Sequence, residues 1–502
     1  MTSVPEPRSD PSTAPLTTAG LGSRAVRNTL TVLAARVASR VIALVTIIAI
    51  GNYLTDTGFG QMQTVITYAA LVNVTLDLGY GTLYVREGAR HPELLSAYLA
   101  TLLSFKALSA VASVAVLAAV LVIPGLENLL LPASLLMITA AYSNLLRSSL
   151  YALQRLAYEA VAIVLESALL LGLAVWGITT HQGLAFFVWT YVISYSCTIV
   201  YFTVALAAHR MIRFQWGCDL GLLRRWFGTA IAVGFTSIVT TVYFKVDVPI
   251  LQQYRSYDEV GWYTLAYKPF EALLFLPFTL RNIVFPVLSV YYAAQSNRLG
   301  LATEKLYRVL LLMAWPTAIG LFMMTSQANT ILRLYPQSED SLHILAIGIL
   351  FVFMDNTFIA TLLAMNRQNL FFKIALAGMV FNVVLDFALI PTHGYLGASW
   401  ATVITEAFLC VVGWWCLRRE GVSLRLWHLS WRIFVAGGVM AAFLIPFMHV
   451  HGAAALGVMA AGAAVYAIAI LALRTADADE WSLIRRALRR PADQGPDTVG
   501  EP

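Results

Sequence analysis

Apolar stretches alternate with short polar breaks along almost the whole chain, at approximately 29–53, 62–86, 97–123, 129–153, 158–179, 184–208, 227–252, 262–291, 306–326, 342–365, 371–391, 396–417, 431–449 and 453–473. Each is about 20 residues or longer, enough for a helix to cross the ~30 Å hydrocarbon core of a bilayer. Turn and cap residues punctuate the pattern: Thr-Asp-Thr-Gly at 55–58, Pro124-Gly125, His-Gln-Gly at 181–183, Pro391 to Gly394, and His451-Gly452. The pattern predicts an all-α polytopic membrane protein of about 14 transmembrane helices. The breaks on one side are short, about 16 residues at most, which leaves no room for a folded external domain.

Charge adds orientation. Arg86, Arg90, Arg155, Arg210, Arg213, Arg298, Lys305, Arg367, Lys373, Arg418, Arg419, Arg425 and Arg432 fall in or beside every second break, whereas the opposite breaks hold only Arg255 and Arg333. Cationic loops stay in the cytoplasm, so both termini are expected there, the second carrying Arg485, Arg486, Arg489 and Arg490. Only 12% of the 502 residues are charged, about half the share usual in a soluble domain. The net charge of +6 follows the loops rather than one patch, which points to an anionic leaflet and away from nucleic acid. Cys197, Cys218, Cys410 and Cys416 form no paired or metal-binding spacing. No Gly-x-x-x-x-Gly-Lys-Ser/Thr loop occurs, so no ATPase is expected; no metal and no cofactor are expected either.

Two echoes suggest an internal duplication. Tyr53 to Gly60 (Tyr-Leu-Thr-Asp-Thr-Gly-Phe-Gly) parallels Tyr254 to Gly261 (Tyr-Arg-Ser-Tyr-Asp-Glu-Val-Gly), and Ala-Leu-Gln-Arg ending at Arg155 parallels Ala-Met-Asn-Arg ending at Arg367. Each pair lies six spans apart, so the halves share orientation in the membrane. The expected organisation is a disordered cytoplasmic tail over 1–25, an N-lobe over 26–215, a C-lobe over 216–420, two further spans over 421–475 and a basic cytoplasmic tail over 476–502. Trp481 to Arg490 has the pattern of an amphipathic helix on the inner leaflet.

Charges inside the spans carry the candidate chemistry. Arg36, Arg40, Lys245, Lys268 and Arg281 lie well inside their spans, and an Arg or Lys facing lipid there costs about 2.5–3.5 kcal/mol. They are expected to line a cationic, water-filled cavity that binds an anion. Arg36 and Arg40 share a helix face, and Lys268 stands three residues from Glu271. Lys106 and Arg308, nearer span ends, are expected to snorkel. The embedded acids are Asp77, Glu166, Asp247, Glu271, Asp355, Asp386 and Glu406, of which Asp77, Asp386 and Glu406 are candidates for ion or proton coupling. Span eight carries Pro269, Pro277 and Pro286, which predict a kinked, hinge-like helix.

Tyr267-Lys-Pro-Phe-Glu-Ala-Leu-Leu-Phe-Leu-Pro277, followed by Phe285-Pro-Val-Leu-Ser289, resembles the span-eight region of Wzx-type polysaccharide flippases, in the multidrug/oligosaccharidyl-lipid/polysaccharide exporter superfamily. Gly58-Phe-Gly60 and the run from Phe387 to Thr402 with Glu406 agree with it. The resemblance covers most of spans one to twelve. It implies two six-helix lobes in a V around a central cavity, alternating access, and a polyprenyl-diphosphate-linked oligosaccharide as substrate in a bacterial cytoplasmic membrane. The polymerase and glycosyltransferases of the same pathway are the implied partners. Two alternatives are a cation-coupled multidrug exporter of the same superfamily and a membrane glycosyltransferase or polymerase. The first calls for an acidic or apolar cavity, the second for a large external catalytic loop.

Overall fold

A computed structural model describes residues 18–473 apart from 122–124, 296, 297 and 451, with side chains from residue 35 onward except those of Thr75 and Ala453. Its regular structure is helical, with no strand among the described residues. The helices are α1 (Thr18–Tyr53), α2 (Asp56–Asp77), α3 (Tyr80–Arg90), α4 (Leu95–Val120), α5 (Leu130–Ala152), α6 (Leu156–Thr179), α7 (Leu184–Ala208) and α8 (Leu220–Lys245). There follow α9 (Asp247–Tyr254), α10 (Tyr257–Leu273), α11 (Phe275–Ala293), α12 (Arg298–Met323), α13 (Thr325–Leu332), α14 (Ser338–Ala364), α15 (Gln368–Arg419), α16 (Leu426–Leu444) and α17 (Ala453–Ala472). Helix α1 already begins at Thr18, inside the stretch expected to be a disordered tail. The reading of Trp481 to Arg490 lies outside the described residues.

Twelve helical segments among the described residues are long and apolar enough to cross a membrane. Two details relate that count to the fourteen stretches. First, α15 is two helices joined at Gly394, whose φ of 58° and ψ of −136° are not helical. Each half is about 25 residues, a full crossing. Second, the stretch at 62–86 is divided between α2 and α3 at Leu78 and Gly79, both with positive φ. A Cβ on Gly79 would lie 2.3 Å from the Ala230 carbonyl oxygen and 2.4 Å from the Gly234 nitrogen. The break therefore lets backbone approach backbone, which a glycine alone permits.

Prolines place the other interruptions. Pro249 has no N–H to donate to the Lys245 carbonyl, and α8 ends there before α9 resumes. The expected kink of span eight falls at Leu274, between α10 and α11 and three residues before Pro277. Pro269 and Pro286 stay within helices.

The Gly394 turn is held by charge at both helix ends. Arg255 donates to the carbonyls of Ile390 (3.4 Å) and Pro391 (2.9 Å), while Glu259 accepts the Tyr395 N–H at 3.0 Å. A cation thus meets a helix C-terminus and an anion meets an N-terminus, as the helix dipole favours. A Cβ on Gly394 would lie 2.0 Å from the Glu259 carboxylate.

The described chain divides into two compact units, one of residues up to Ile50 with Tyr68–Ile238, the other of Gly51–Thr67 with residues from Val239 onward. The first is centred on Tyr84, Leu99, Leu102, Leu146, Leu150 and Phe202. The second includes a cluster of Val248, Leu251, Tyr263, Ile390 and Ala398.

Candidate functional site

Among the described residues of the first unit, the intramembrane charges fall into three pairs and one unpaired cation. Arg36 donates to Glu159 at 3.1 Å and to the Tyr151 hydroxyl at 3.2 Å, and Tyr151 donates to the same carboxylate. Glu159 is 1% exposed but the Arg36 side chain 45%, so the guanidinium keeps an open edge for a further acceptor. Arg40, one turn along the same helix, is exposed and has no hydrogen-bond or ion-pair partner among the described residues. Arg147 pairs with Glu166 at 2.8 Å, both largely covered, and Thr198 adds a long contact to that carboxylate. Lys106 meets Asp77 at 3.0 Å with only 4% of its side chain exposed. The expectation that Lys106 snorkels is therefore wrong. It sits mid-way along α4 with its side chain covered, and the Asp77 carboxylate supplies the counter-charge.

In the second unit Lys268 is three residues from Glu271 and bonds it at 3.1 Å, as the spacing suggests. Lys245 stands at the broken end of α8, half-buried and without a bonded partner among the described residues. Lys268, Glu271 and Asp247 lie within its electrostatic reach. Asp247 opens α9, accepting the Val248 N–H at 2.9 Å and the Tyr263 hydroxyl.

Arg281 is held differently. It donates to the Asn356 side-chain oxygen at 3.0 Å, its guanidinium is 5.0 Å from the Phe278 ring, and Asn356 in turn donates to Asp355 at 3.0 Å. These groups, with Tyr243 and Glu406, line a cavity of about 400 Å³ walled by α8, α11, α14 and both halves of α15. Tyr243 donates to Glu406. One base thus faces two carboxylates in a largely apolar chamber.

Asp386 stands apart. It is completely buried, and neither carboxylate oxygen has a hydrogen-bond partner among the described residues. Asn382, one turn earlier, likewise has an unpartnered side-chain oxygen, and its amide is 3.5 Å from the Thr405 hydroxyl. Asp247 lies within electrostatic reach of Asp386. An apolar interior tolerates an isolated carboxylate only if it is neutral or meets a cation.

Of the five predicted cavity cations, Arg36 and Lys268 are matched by single carboxylates, Arg281 faces two across a hydrogen-bond relay, and Arg40 and Lys245 are unbonded. Sequence reasoning missed Arg147, Glu159, Tyr151, Tyr243 and Asn356. Arg147 lies inside the 129–153 stretch, so the rule that flagged Arg281 also applies to it. Glu159 opens α6, where an acid reads as a helix N-terminal residue.

At the tip of the α1–α2 hairpin, within the second unit, the two halves of the suspected duplication touch. A Cβ on Gly60 would lie 1.8 Å from the Tyr257 carbonyl oxygen, and one on Gly261 2.4 Å from that of Asp56. Asp56 and Tyr257 occupy equivalent places in the two echoing segments, so the crossing is reciprocal. Trp262 donates to Asp56 at 2.8 Å, Thr57 bonds Asp258, and the Tyr335 hydroxyl donates to the Gly51 carbonyl at 2.6 Å. Burial pushes the Tyr335 pKa further up, so it remains a donor.

Residues 25–292 match the family described as "Polysaccharide biosynthesis protein", and residues 272–472 match that described as "Lipid II flippase MurJ". A curated relative, an uncharacterized membrane protein of Methanocaldococcus jannaschii, is 22% identical over 228 residues. That stretch is 45% of this chain and 44% of the relative, so the chain spans less than half the length of the curated relative it matches. Among solved structures, lipid II flippase MurJ in an inward closed conformation is similar with a TM-score of 0.74 at 14% identity, over 92% of this chain and 100% of the other. An inward-facing multidrug resistance MATE family transporter of the MOP superfamily is similar with a TM-score of 0.60 at 13% identity, over 76% and 94%. The fold is therefore that of the MOP transporters, and the match over more than half of its length shows that the chain is a multi-pass member of the polysaccharide biosynthesis protein family.

Proposed function

We propose that this protein carries a polyprenyl-diphosphate-linked oligosaccharide from the inner to the outer leaflet of a bacterial cytoplasmic membrane, by alternating access, for cell-surface polysaccharide synthesis. The observation that carries the reading is Arg40, exposed and unpartnered among the described residues on a helix apolar enough to span a bilayer. Facing lipid it would cost about 3 kcal/mol, so its neighbours are water and an anion. A diphosphate headgroup is such an anion. Membership of a polysaccharide biosynthesis family supports the glycan, and the second family match, to a lipid II flippase, supports the lipid carrier.

Sugar hydroxyls cost several kcal/mol each to bring unpaired into an alkane-like phase, so the headgroup needs a polar route while its tail stays in lipid. Arg36 and Arg40 in the first unit, and Arg281, Lys245 and Lys268 in the second, are the side chains offered to the diphosphate. The positive-inside pattern supports both termini being cytoplasmic and the Gly60–Gly261 crossing being an external closure that parts when the site opens outward. The polymerase and glycosyltransferases of the pathway would act before and after this step. This protein moves its substrate without altering it covalently.

An anion of charge about −2 gains roughly 4–5 kcal/mol per 100 mV on moving out of an inside-negative cell, so membrane potential suffices as a driving force. Where an ion is coupled, Asp386 is better suited than Asp77 or Glu406. Lys106 already neutralises Asp77 and Tyr243 occupies Glu406, while Asp386 is buried with both oxygens open. The excess of carboxylates around Arg281 favours, as a second reading, export of an organic cation, and resistance to cationic dyes separates the two.

The direct test is complementation of a deletion strain. Arg40→Ala at normal protein level should abolish surface glycan and leave lipid-linked glycan on the inner leaflet, with Arg40→Lys partly active. Unchanged glycan export in Arg40→Ala overturns the assignment.

A further inference from the structure

The outer surface of α15 bears a second feature that the transport cycle does not use. Its two halves run antiparallel: Gly378 packs on Leu409, the Phe381 and Phe408 rings lie 4.5 Å apart, and Asn382 meets Thr405. Between them opens a shallow groove of about 520 Å³. One wall is the stripe Lys373, Ala377, Val380 and Val384, and the other begins at Phe408. Helical spacing continues the second wall through Val411 and Trp415 to Arg419, the first two of them exposed.

Both walls end in a cation at the same end. The register set by Gly378 and Leu409 carries Lys373 level with Trp414, next to Trp415. Lys373 is exposed, with no partner among the described residues. Arg419 stacks on the Trp415 ring at 3.7 Å, and Arg418 lies over Trp414 at 5.8 Å. No carboxylate holds either arginine among the described residues, whereas the neighbouring Arg367 is tied to Glu420 at 2.7 Å. From Lys373 to Val384 the groove runs eleven residues, about 16 Å, close to half of a ~30 Å hydrocarbon core and therefore to one leaflet.

We infer that this groove is a binding site for an anionic phospholipid of the leaflet at the basic end of α15, with the phosphate on Lys373 and Arg419 and one acyl chain against Ala377, Val380 and Phe408. The chain length favours a phospholipid over the substrate's polyprenyl tail, which is far longer than one leaflet. Trp414 and Trp415 fit the headgroup depth, where indole rings collect. Occupancy by a lipid braces the two halves of α15 across the Gly394 turn.

Native mass spectrometry of the full-length protein, released from membranes into detergent with phosphatidylglycerol and phosphatidylcholine at equal concentration, tests the site. The wild type should retain phosphatidylglycerol preferentially. Lys373→Gln with Arg419→Gln should lower that retention about tenfold or more, since each charge is lost from a headgroup contact. Ala377→Trp, which keeps the charges and fills the groove, should lower it similarly. Added phosphatidylglycerol should raise the melting temperature of the wild type and of neither variant. Equal retention of the two lipids by the wild type, or unchanged retention in both variants, overturns the inference. So does displacement of phosphatidylglycerol by an equimolar polyprenyl phosphate, which would assign the groove to the substrate's tail. None of these outcomes depends on flipping, so failure here leaves the transport reading intact.

Discussion

The Gly60–Gly261 crossing is the most sharply testable feature of the proposed transport cycle. A methyl on Gly60 would stand 1.8 Å from the Tyr257 carbonyl oxygen and 2.8 Å from its carbon, both backbone atoms that cannot swing aside. Ordinary contact needs ~3.5 Å, so Gly60→Ala must part the two segments by about 1.5 Å. That movement strains the Trp262–Asp56 bond of 2.8 Å, the Thr57–Asp258 bond and the Ser338 bond to the Trp262 carbonyl, also 2.8 Å. Overpacking of this kind costs about 1–3 kcal/mol, and 2 kcal/mol borne by the closed state alone shifts the closed-to-open ratio roughly thirtyfold. Gly172→Ala is the control, because nothing lies within 4 Å of its Cβ position. The assay is labelling of intact cells with a membrane-impermeant maleimide at an engineered Val260→Cys, a position beside Gly261 that is 0% exposed while the crossing is closed, in a background lacking Cys197 and Cys218, the two exposed native thiols. Labelling should rise at least tenfold in Gly60→Ala and stay level in Gly172→Ala. Equal labelling in both, with equal thermal stability, would refute the closure.

Three further outcomes follow from the buried charges and the α15 turn. Gly394→Ala, at φ 58° and ψ −136° and with its Cβ 2.0 Å from Glu259, should destabilise by about 2–3 kcal/mol in chemical or thermal melts. Glu259→Gln, which weakens the cap on Tyr395 and removes a 3.9 Å ion pair with Arg255, should cost about 0.5–1 kcal/mol, and a larger loss for Glu259→Gln than for Gly394→Ala would reverse the reasoning. Asp386→Asn should leave stability unchanged or raised, because an unpartnered buried carboxyl is replaced by a neutral isostere, yet remove any dependence of transport on a proton or sodium gradient; retained dependence would exclude Asp386 as the coupling group. Arg147→Met should destabilise by about 2 kcal/mol through the stranded Glu166, and Glu166→Gln in that background should recover most of the loss.

The helices were legible because bilayer thickness and loop charge constrain a membrane chain strongly. The two exceptions to the charge rule also have structural reasons. Arg255 is occupied by the carbonyls of Ile390 and Pro391, and Arg333 takes the left-handed position that ends α13. The breaks were less legible. Pro277 advertised the α10–α11 break, but Leu78 and Gly79 interrupt a stretch with no proline, for the sake of a close approach to α8 that only tertiary structure reveals. The pairing of charges was legible only at short range. Lys268 and Glu271 are one helical turn apart, whereas Arg36 with Glu159 and Lys106 with Asp77 join residues whose separation in sequence carries no periodic signal.

Those pairings change which residues can do the work. A cation already matched by a carboxylate offers an incoming diphosphate a weaker attraction, because the pair's own Coulomb energy must be shared. Lys106, Arg147 and Lys268 are in that position. Arg36 is intermediate, since nearly half of its side chain remains open while Glu159 holds one edge. Arg40 and Lys245 make no ion pair among the described residues, one in each compact unit, so neither has a salt bridge to break before a headgroup binds. Loss of Arg40 should therefore impair transport more than loss of Arg36, measured as surface glycan at matched protein level. The opposite order would mean that the Arg36–Glu159–Tyr151 cluster, and not the free guanidinium, receives the diphosphate.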